Sequence, residues 1–197
     1  MHDRDLVSAV ETLMQSRQTI LPKRLTAPGP DDEQLQLILD AAASAPDHGQ
    51  LLPWRFVIVP TKARPSLAEV FGAALRERDP EATSAQVDQA REKAFRSPLL
   101  LLAVVDSNGG DPDIDLHERI VSAGCAVQNM LLMATVLGFG SALTSGKALK
   151  SEGLRSLFDL QAGEYALCFV SVGTALSGKH PKLRPTTADY VITLRSD

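Results

Sequence analysis

The stretch "HERIVSAGCAVQNMLLMATVLGFG" (residues 117–140) predicts a long helix that is apolar on most of its sides. A surface helix confines its apolar residues to one stripe, so this pattern indicates a central, buried helix. Gly138 and Gly140 are typical of helix termination with a glycine in the left-handed conformation. One small domain has difficulty covering so long an apolar helix completely. We therefore expect it also to be buried against a second subunit.

Apolar strands are predicted on both sides of this helix in the sequence. "PLLLLAVVD" (98–106) is apolar at every residue from Leu99 to Val105, as expected of a central strand that is covered on both faces. "WRFVIV" (54–59), which starts with Trp54 as a core residue, and "YALCFVSVGTAL" (165–176) predict two more strands, and a further one is predicted near 190–194.

The remaining periodic segments predict amphipathic helices. The first spans residues 4–16, with its apolar residues on one face: Leu6, Val7, Val10, Leu13 and Met14. Asp31, followed three residues later by Gln34, is a capping-box pattern that starts a helix running to about Ala45. Further helices are predicted at 63–78, 81–95 and 150–160. No linker or repeat divides residues 1–197, so we expect one α+β domain with a short mixed sheet sandwiched by helices.

Composition restricts the class of protein. A net charge of −4, with 44% hydrophobic and 22% charged residues, predicts a globular chain and argues against a nucleic-acid binder. Cys125 and Cys168 lie in apolar runs and are predicted to be buried thiols rather than a disulfide framework. No stretch approaches the ~18 consecutive apolar residues of a membrane span. The N-terminal residues do not read as a signal peptide, so a cytoplasmic protein without membrane partners is expected.

Several common site motifs are absent from the sequence. "GFGSALTSGKA" (138–148) is not a phosphate-binding loop, because five residues separate Gly140 from Gly146 and Ala148 replaces the required hydroxyl residue. It is not a dinucleotide fingerprint either, since Leu143 takes the place of the third glycine. The histidines are scattered and no metal-ligand spacing occurs: His2, His48, His117 and His180.

Three separate polar segments remain as candidate site elements. They are "SRQT" (16–19), "SAPDHGQ" (44–50) and "SALTSG" (141–146), the last supplemented by "PKLR" (181–184). In this order, interleaved with "PLLLLAVV" and the long apolar helix, they resemble the nitroreductase family, and most closely its compact, small-subunit branch. The resemblance runs through nearly the whole chain. It implies the nitroreductase-like fold, an interlocked homodimer, and flavin mononucleotide (FMN) as prosthetic group.

The resemblance also implies roles for individual residues. Arg17 and Thr19 are expected to contact the FMN phosphate, with Gln18 where relatives often carry a second arginine. A further cation would come from Lys182 or Arg184, and the sequence leaves both open. In the second segment, Ser44, Pro46 and His48 are expected to reach the flavin of the partner subunit.

The third segment is expected to lie against the isoalloxazine ring through Leu143, Thr144, Ser145 and Gly146. Close relatives carry tryptophan and arginine at the first two of these positions, so the resemblance predicts a less cationic ring environment here. The implied activity is transfer of hydride from NADH or NADPH, through flavin N5, to a nitroaromatic or quinone-like acceptor by a ping-pong mechanism. The core step then needs no catalytic protein residue. The alternative is a flavin-binding protein with little NAD(P)H oxidoreductase activity, used for FMN sequestration or a specialised oxidation.

Overall fold

The computed structural model describes residues 3–176 and 183–195. Its helices are α1 Asp3–Ser16, α2 Asp32–Ala42, α3 Arg64–Arg78, α4 Ser84–Glu92, α5 Leu116–Val136 and α6 Glu152–Leu157. Its strands are β1 Leu25–Thr26, β2 Trp54–Ile58, β3 Leu99–Asp106, β4 Gly140–Thr144 and β5 Glu164–Ala175. Short 3₁₀ turns connect these elements at Pro22–Arg24, His48–Gln50, Thr61–Ala63, Lys93–Phe95, Lys147–Lys150 and Thr187–Asp189.

The strands form a five-stranded sheet in the order β1-β5-β3-β2, with β4 also paired to β5. Each of these pairings is antiparallel. The parallel component in the described part of the chain is an isolated bridge between Thr19 and Ser141. The predicted α+β class is therefore confirmed. Among the described residues the sheet is mixed only through this bridge, because β5 pairs in the antiparallel direction with all three of its partner strands, β1, β3 and β4.

Side chains of β3 alternate between two hydrophobic cores, one on each face of the sheet. Leu99, Leu101 and Ala103 pack with α2 and α5. The intervening residues Leu100 and Leu102 pack with α3 and α6. The continuous apolar run thus reflects burial on both faces, as the sequence predicted.

Helix α5 is the central helix of the first core. It starts at the N-cap Asp115, whose carboxylate accepts hydrogen bonds from the His117 and Glu118 N–H groups. It ends at Val136, earlier than predicted, because Gly138 adopts the left-handed conformation with φ +85°. Gly140 then begins β4, a strand that the sequence analysis did not identify. By length and composition α5 could cross a membrane, but its inner face is packed in the core.

Other predicted elements were confirmed with small corrections. Helix α2 has the expected capping box at Asp31 and Gln34 but ends at Ala42, before the predicted Ala45. Trp54 starts β2, and its indole N–H donates to the Ser122 hydroxyl at 3.0 Å. The strand predicted near 190–194 is wrong: residues 191–195 have no regular structure, and Ile192 is 95% exposed.

The two cysteines are free and half-buried. Burial raises the pKa of the Cys168 thiol to about 11, because an apolar environment disfavours the thiolate. We therefore expect Cys168 in the folded protein to remain unmodified by iodoacetamide at pH 8 and to react once guanidinium unfolds the chain. Peptide mass spectrometry measures this. Rapid alkylation of Cys168 in the native protein would contradict the burial described.

Candidate active site

The first and third polar segments lie side by side. The chain leaves α1 after Ser16 and runs alongside the start of β4, where Thr19 forms the parallel bridge with Ser141. The Ile20 N–H donates to the Ser141 carbonyl at 2.9 Å, which fixes the register of the two segments. Two segments separated by more than a hundred residues in sequence are thus joined at one edge of the sheet.

Arg184 joins the same edge from the C-terminal part of the chain. Its Nη2 donates to the backbone carbonyl of Arg17 at 2.8 Å. The pKa of Arg17 is lowered, first by partial burial and second by the positive charge of Arg184. Neither arginine makes an ion pair within residues 3–176 and 183–195. Two adjacent cations without a carboxylate partner, in a chain of net negative charge, favour binding of an anion. Lys182, the other candidate, lies outside the described residues.

A cavity of about 310 Å³ opens beside the third segment. Sheet residues Leu100, Phe169 and Ser171 line it on one side, and Thr144 and Gly146 line its edge. Three cationic side chains also line it: Lys23, Lys93 and Arg96. The cavity therefore combines an apolar surface with positive charge, which suits a flat aromatic ligand that carries or acquires negative charge.

The segment after β4 offers free backbone donors next to this cavity. The sheet pairing ends at Thr144, and the N–H groups of Ser145 and Gly146 have no backbone acceptor among the described residues. Leu143 is 45% exposed, and Thr144 and Ser145 are also exposed. Exposed backbone donors of this kind hydrogen-bond readily to ring carbonyls and nitrogens of a bound ligand.

The second polar segment is not brought to the other two within one chain. His48 lies in an exposed turn with Nδ1 2.8 Å from a carboxylate oxygen of Glu118, in the first turn of α5. Ser44 and Pro46 are exposed in the same loop. The third segment instead follows the other end of α5, and a helix of this length extends about 30 Å. His48 therefore lies near the opposite end of α5 from the third segment of its own chain.

Sequence reasoning missed the three cations that line the cavity. Lys93 and Arg96 lie in and just after the 3₁₀ turn before β3, and Lys23 lies in the turn after the first polar segment. None belongs to a motif; the detectable signal for Lys93 and Arg96 was their position directly before the central strand β3. The expectation of a less cationic ring environment at Leu143 and Thr144 stays a prediction, and Lys23, Lys93 and Arg96 add positive charge to the cavity beside these residues.

Comparison with known proteins identifies the class to which this fold and site belong. The sequence model of the Nitroreductase family matches residues 14–174. A Haemophilus influenzae protein named "Putative NAD(P)H nitroreductase" is 31% identical over 184 residues, covering 93% of this chain and 98% of the relative. The chain belongs to the nitroreductase family and is, by family, an oxidoreductase.

Solved structures agree with this assignment at the level of fold. The nitroreductase-like family protein from Bacillus cereus superposes with a TM-score of 0.80 at 15% identity, covering 95% of this chain and 96% of that one. A nitroreductase from Bacteroides fragilis, whose structure contains bound FMN, superposes with a TM-score of 0.72 at 18% identity, covering 94% and 98%. The nitroreductase-like fold is thus established for this chain.

Proposed function

We propose that the chain is an FMN-dependent NAD(P)H oxidoreductase that reduces nitroaromatic or quinone-like acceptors. The observation that carries this proposal is the convergence of three parts of the chain at one sheet edge. Arg17 and Arg184 form an anion site there, beside the exposed segment that follows β4 and the cationic cavity. The relatives that match over most of the chain are named as NAD(P)H nitroreductases, which supports the same reading.

The FMN phosphate is assigned to the first segment and the C-terminal part of the chain. The guanidinium groups of Arg17 and Arg184 would make charge-assisted hydrogen bonds to it. Thr19 supplies a hydroxyl, and the half-buried Gln18 supplies an amide in place of a second arginine. Partial burial and, second to it, the charge of Arg184 lower the pKa of Arg17, and a bound phosphate would neutralise these two like charges.

The isoalloxazine ring is assigned to the cavity beside Leu143, Thr144, Ser145 and Gly146. Bound FMN would supply the redox chemistry, taking hydride at N5 from a nicotinamide and passing it to the acceptor. The protein's contribution is electrostatic: the Ser145 and Gly146 N–H groups and the cations Lys23, Lys93 and Arg96 stabilise negative charge on the ring. These cations favour the oxidoreductase over the alternative of a flavin-binding protein with little activity.

The site is proposed to be completed in a homodimer. Apolar residues of α1 are exposed on one chain, with Val7 at 57% and Met14 at 58% exposure, and Val121 of α5 is 65% exposed. Ile192 and Leu194 in the C-terminal segment are almost fully exposed. Exposed apolar surface of this extent is typical of a protein–protein interface. In the dimer, Ser44, Pro46 and His48 of one subunit would contact the flavin of the other.

A single domain over residues 1–197 and a cytoplasmic location are part of the same proposal.

The mechanism is tested by initial rates at varied NADPH and nitroaromatic concentrations. Because donor and acceptor would use the same cavity in turn, double-reciprocal plots are expected to be parallel, as in ping-pong turnover. Intersecting lines would show that both substrates bind at once and would contradict the shared cavity. Repeating the series with NADH determines which nicotinamide the protein uses.

A further inference from the structure

A second cavity adjoins the proposed flavin site and carries a strong positive charge. Its volume is about 330 Å³, and it lies between α3, α4 and the turn Lys147–Lys150. The two cavities share Lys93, Arg96 and Gly146 among their lining residues. We call this second cavity the cationic groove, defined by Arg78, Lys93, Arg96 and Lys147, with Gln86 and Gln89 beside them.

The charges of the cationic groove are not compensated by its own walls. No acidic residue lines it within the described part of the chain. Arg78, Lys93 and Lys147 make no ion pair within the described ranges, and Arg96 reaches Glu92 only at 3.4 Å. The Nε of Arg96 is buried without a hydrogen-bond partner. A cluster of four cations, of which only Arg96 has a carboxylate partner among the described residues, in a chain of net charge −4 indicates a site for an anionic ligand.

The polar amides of the groove fit the same ligand. The side-chain oxygen of Gln86 is used in capping α4, where it accepts from the Thr83 N–H at 2.8 Å. Its amide N–H groups are therefore the part left to a ligand. Four cations and amide donors exceed what one carboxylate needs, but they match a ligand with several phosphate oxygens.

We propose that the cationic groove binds the phosphate groups of the nicotinamide dinucleotide, while its nicotinamide ring occupies the adjoining flavin cavity. This assignment rests on the proposed function, since it requires the neighbouring cavity to be the site of hydride transfer. It gives the protein a preference for NADPH over NADH, because the 2′-phosphate adds negative charge in a groove that lacks carboxylates. An acidic substituent of the acceptor is the other source of the same anionic chemistry.

The test uses a variant that removes charge from the groove and not from the flavin cavity. Arg78→Gln with Lys147→Gln does this, because neither residue lines the flavin cavity. The matched control is Arg76→Gln with Lys150→Gln, which removes the same charges from exposed positions on the same elements outside the groove. All variants are studied as FMN-loaded protein, and the binding titration uses the oxidised form.

Calorimetric titration with adenosine 2′,5′-bisphosphate measures the groove without any turnover. We expect the groove variant to bind this probe about tenfold more weakly than the wild type, and to show about a tenfold higher KM for NADPH. The control variant should match the wild type in both, and all proteins should retain the same FMN content. Equal binding by all three proteins would overturn the assignment.

Paired acceptors distinguish the two sources of negative charge. If the groove variant raises KM for 4-nitrobenzoate relative to nitrobenzene, while its affinity for the bisphosphate is unchanged, the groove serves the acceptor and the donor assignment is wrong. Loss of FMN from the groove variant would also overturn it, because the groove would then be part of the flavin site. Failure of the proposed function would be recognised by a different result: NADPH would not reduce the flavin bound to the wild-type protein.

Discussion

Replacing Arg17 with alanine is expected to weaken FMN binding by roughly 10- to 100-fold, because charge-assisted hydrogen bonds to a phosphate are lost. Arg17 is held at the site by the bridge between Thr19 and Ser141 and by the Arg184 side chain on its carbonyl oxygen. The protein should therefore purify with much less flavin. The dissociation constant for FMN, measured by quenching of flavin fluorescence, gives the magnitude.

Arg4→Ala is the matched control for this experiment. Arg4 is an exposed arginine in the first turn of α1, whereas Arg17 directly follows the last residue of that helix, so removal of Arg4 changes the net charge equally without touching the site. It should leave the FMN affinity unchanged. Full flavin occupancy in Arg17→Ala would remove Arg17 from the phosphate site. Arg184→Ala, tested in parallel, should show a comparable loss if the two guanidinium groups share one phosphate.

Substitution of Arg119 by methionine is expected to destabilise the fold by about 3–5 kcal/mol. Arg119 is 1% exposed, and its guanidinium donates to four backbone carbonyls, one at the last residue of β3 and three in the segment between β3 and α5. The shortest of these bonds, to Gly109 and Asp111, are 2.7 Å long. Methionine fills similar volume but leaves the carbonyls without a donor, which is the costly part of the change.

Thermal unfolding measures this effect, with a decrease of about 10 °C or more in the midpoint expected. Arg76→Met is the control, since Arg76 is exposed on α3 and should change the midpoint little. The segment held by Arg119 packs against the loop of the second polar segment: at Gly110, which has φ +76°, an added Cβ would meet Leu51. Hydrogen exchange should therefore accelerate in residues 44–54 as well. An unchanged midpoint would contradict the structural role given to Arg119.

Strand β3 and helix α5 were predictable because their sequences satisfy one local rule each. A strand that is apolar at every residue has to be buried on both faces, and a helix that is apolar on most sides has to be central. Strand β4 was not predictable in this way. "GSALT" lacks the β-branched, apolar pattern of a strand, and it is extended because β5 pairs with it across residues 169–173. The opposite error occurred at 190–194, where a strand-like pattern has no partner strand among the described residues.

In the candidate site, too, some residues could be predicted from local sequence patterns and others depend on contacts between distant parts of the chain. Arg17, Thr19 and the segment 143–146 were predicted as site residues because they occur in a recognisable order along the chain. Their proximity, however, depends on a parallel bridge that no local pattern encodes. Lys23, Lys93 and Arg96 carry no motif, and only the packing of α3 and of the turn before β3 around one cavity reveals them. Arg184 lies beside Arg17 through its hydrogen bond to the Arg17 carbonyl, a contact between residues far apart in sequence. Lys182, the other candidate, lies outside the described residues.

An anaerobic absorbance spectrum of the FMN-loaded protein, before and after addition of NADPH, tests the central proposal most directly. We expect the flavin bands to bleach on addition of NADPH and to return when a nitroaromatic or quinone is added. This result would establish both half-reactions at one flavin. Bound flavin that stays oxidised with NADPH and with NADH would contradict the oxidoreductase proposal and would leave the protein as a flavin-binding member of its family.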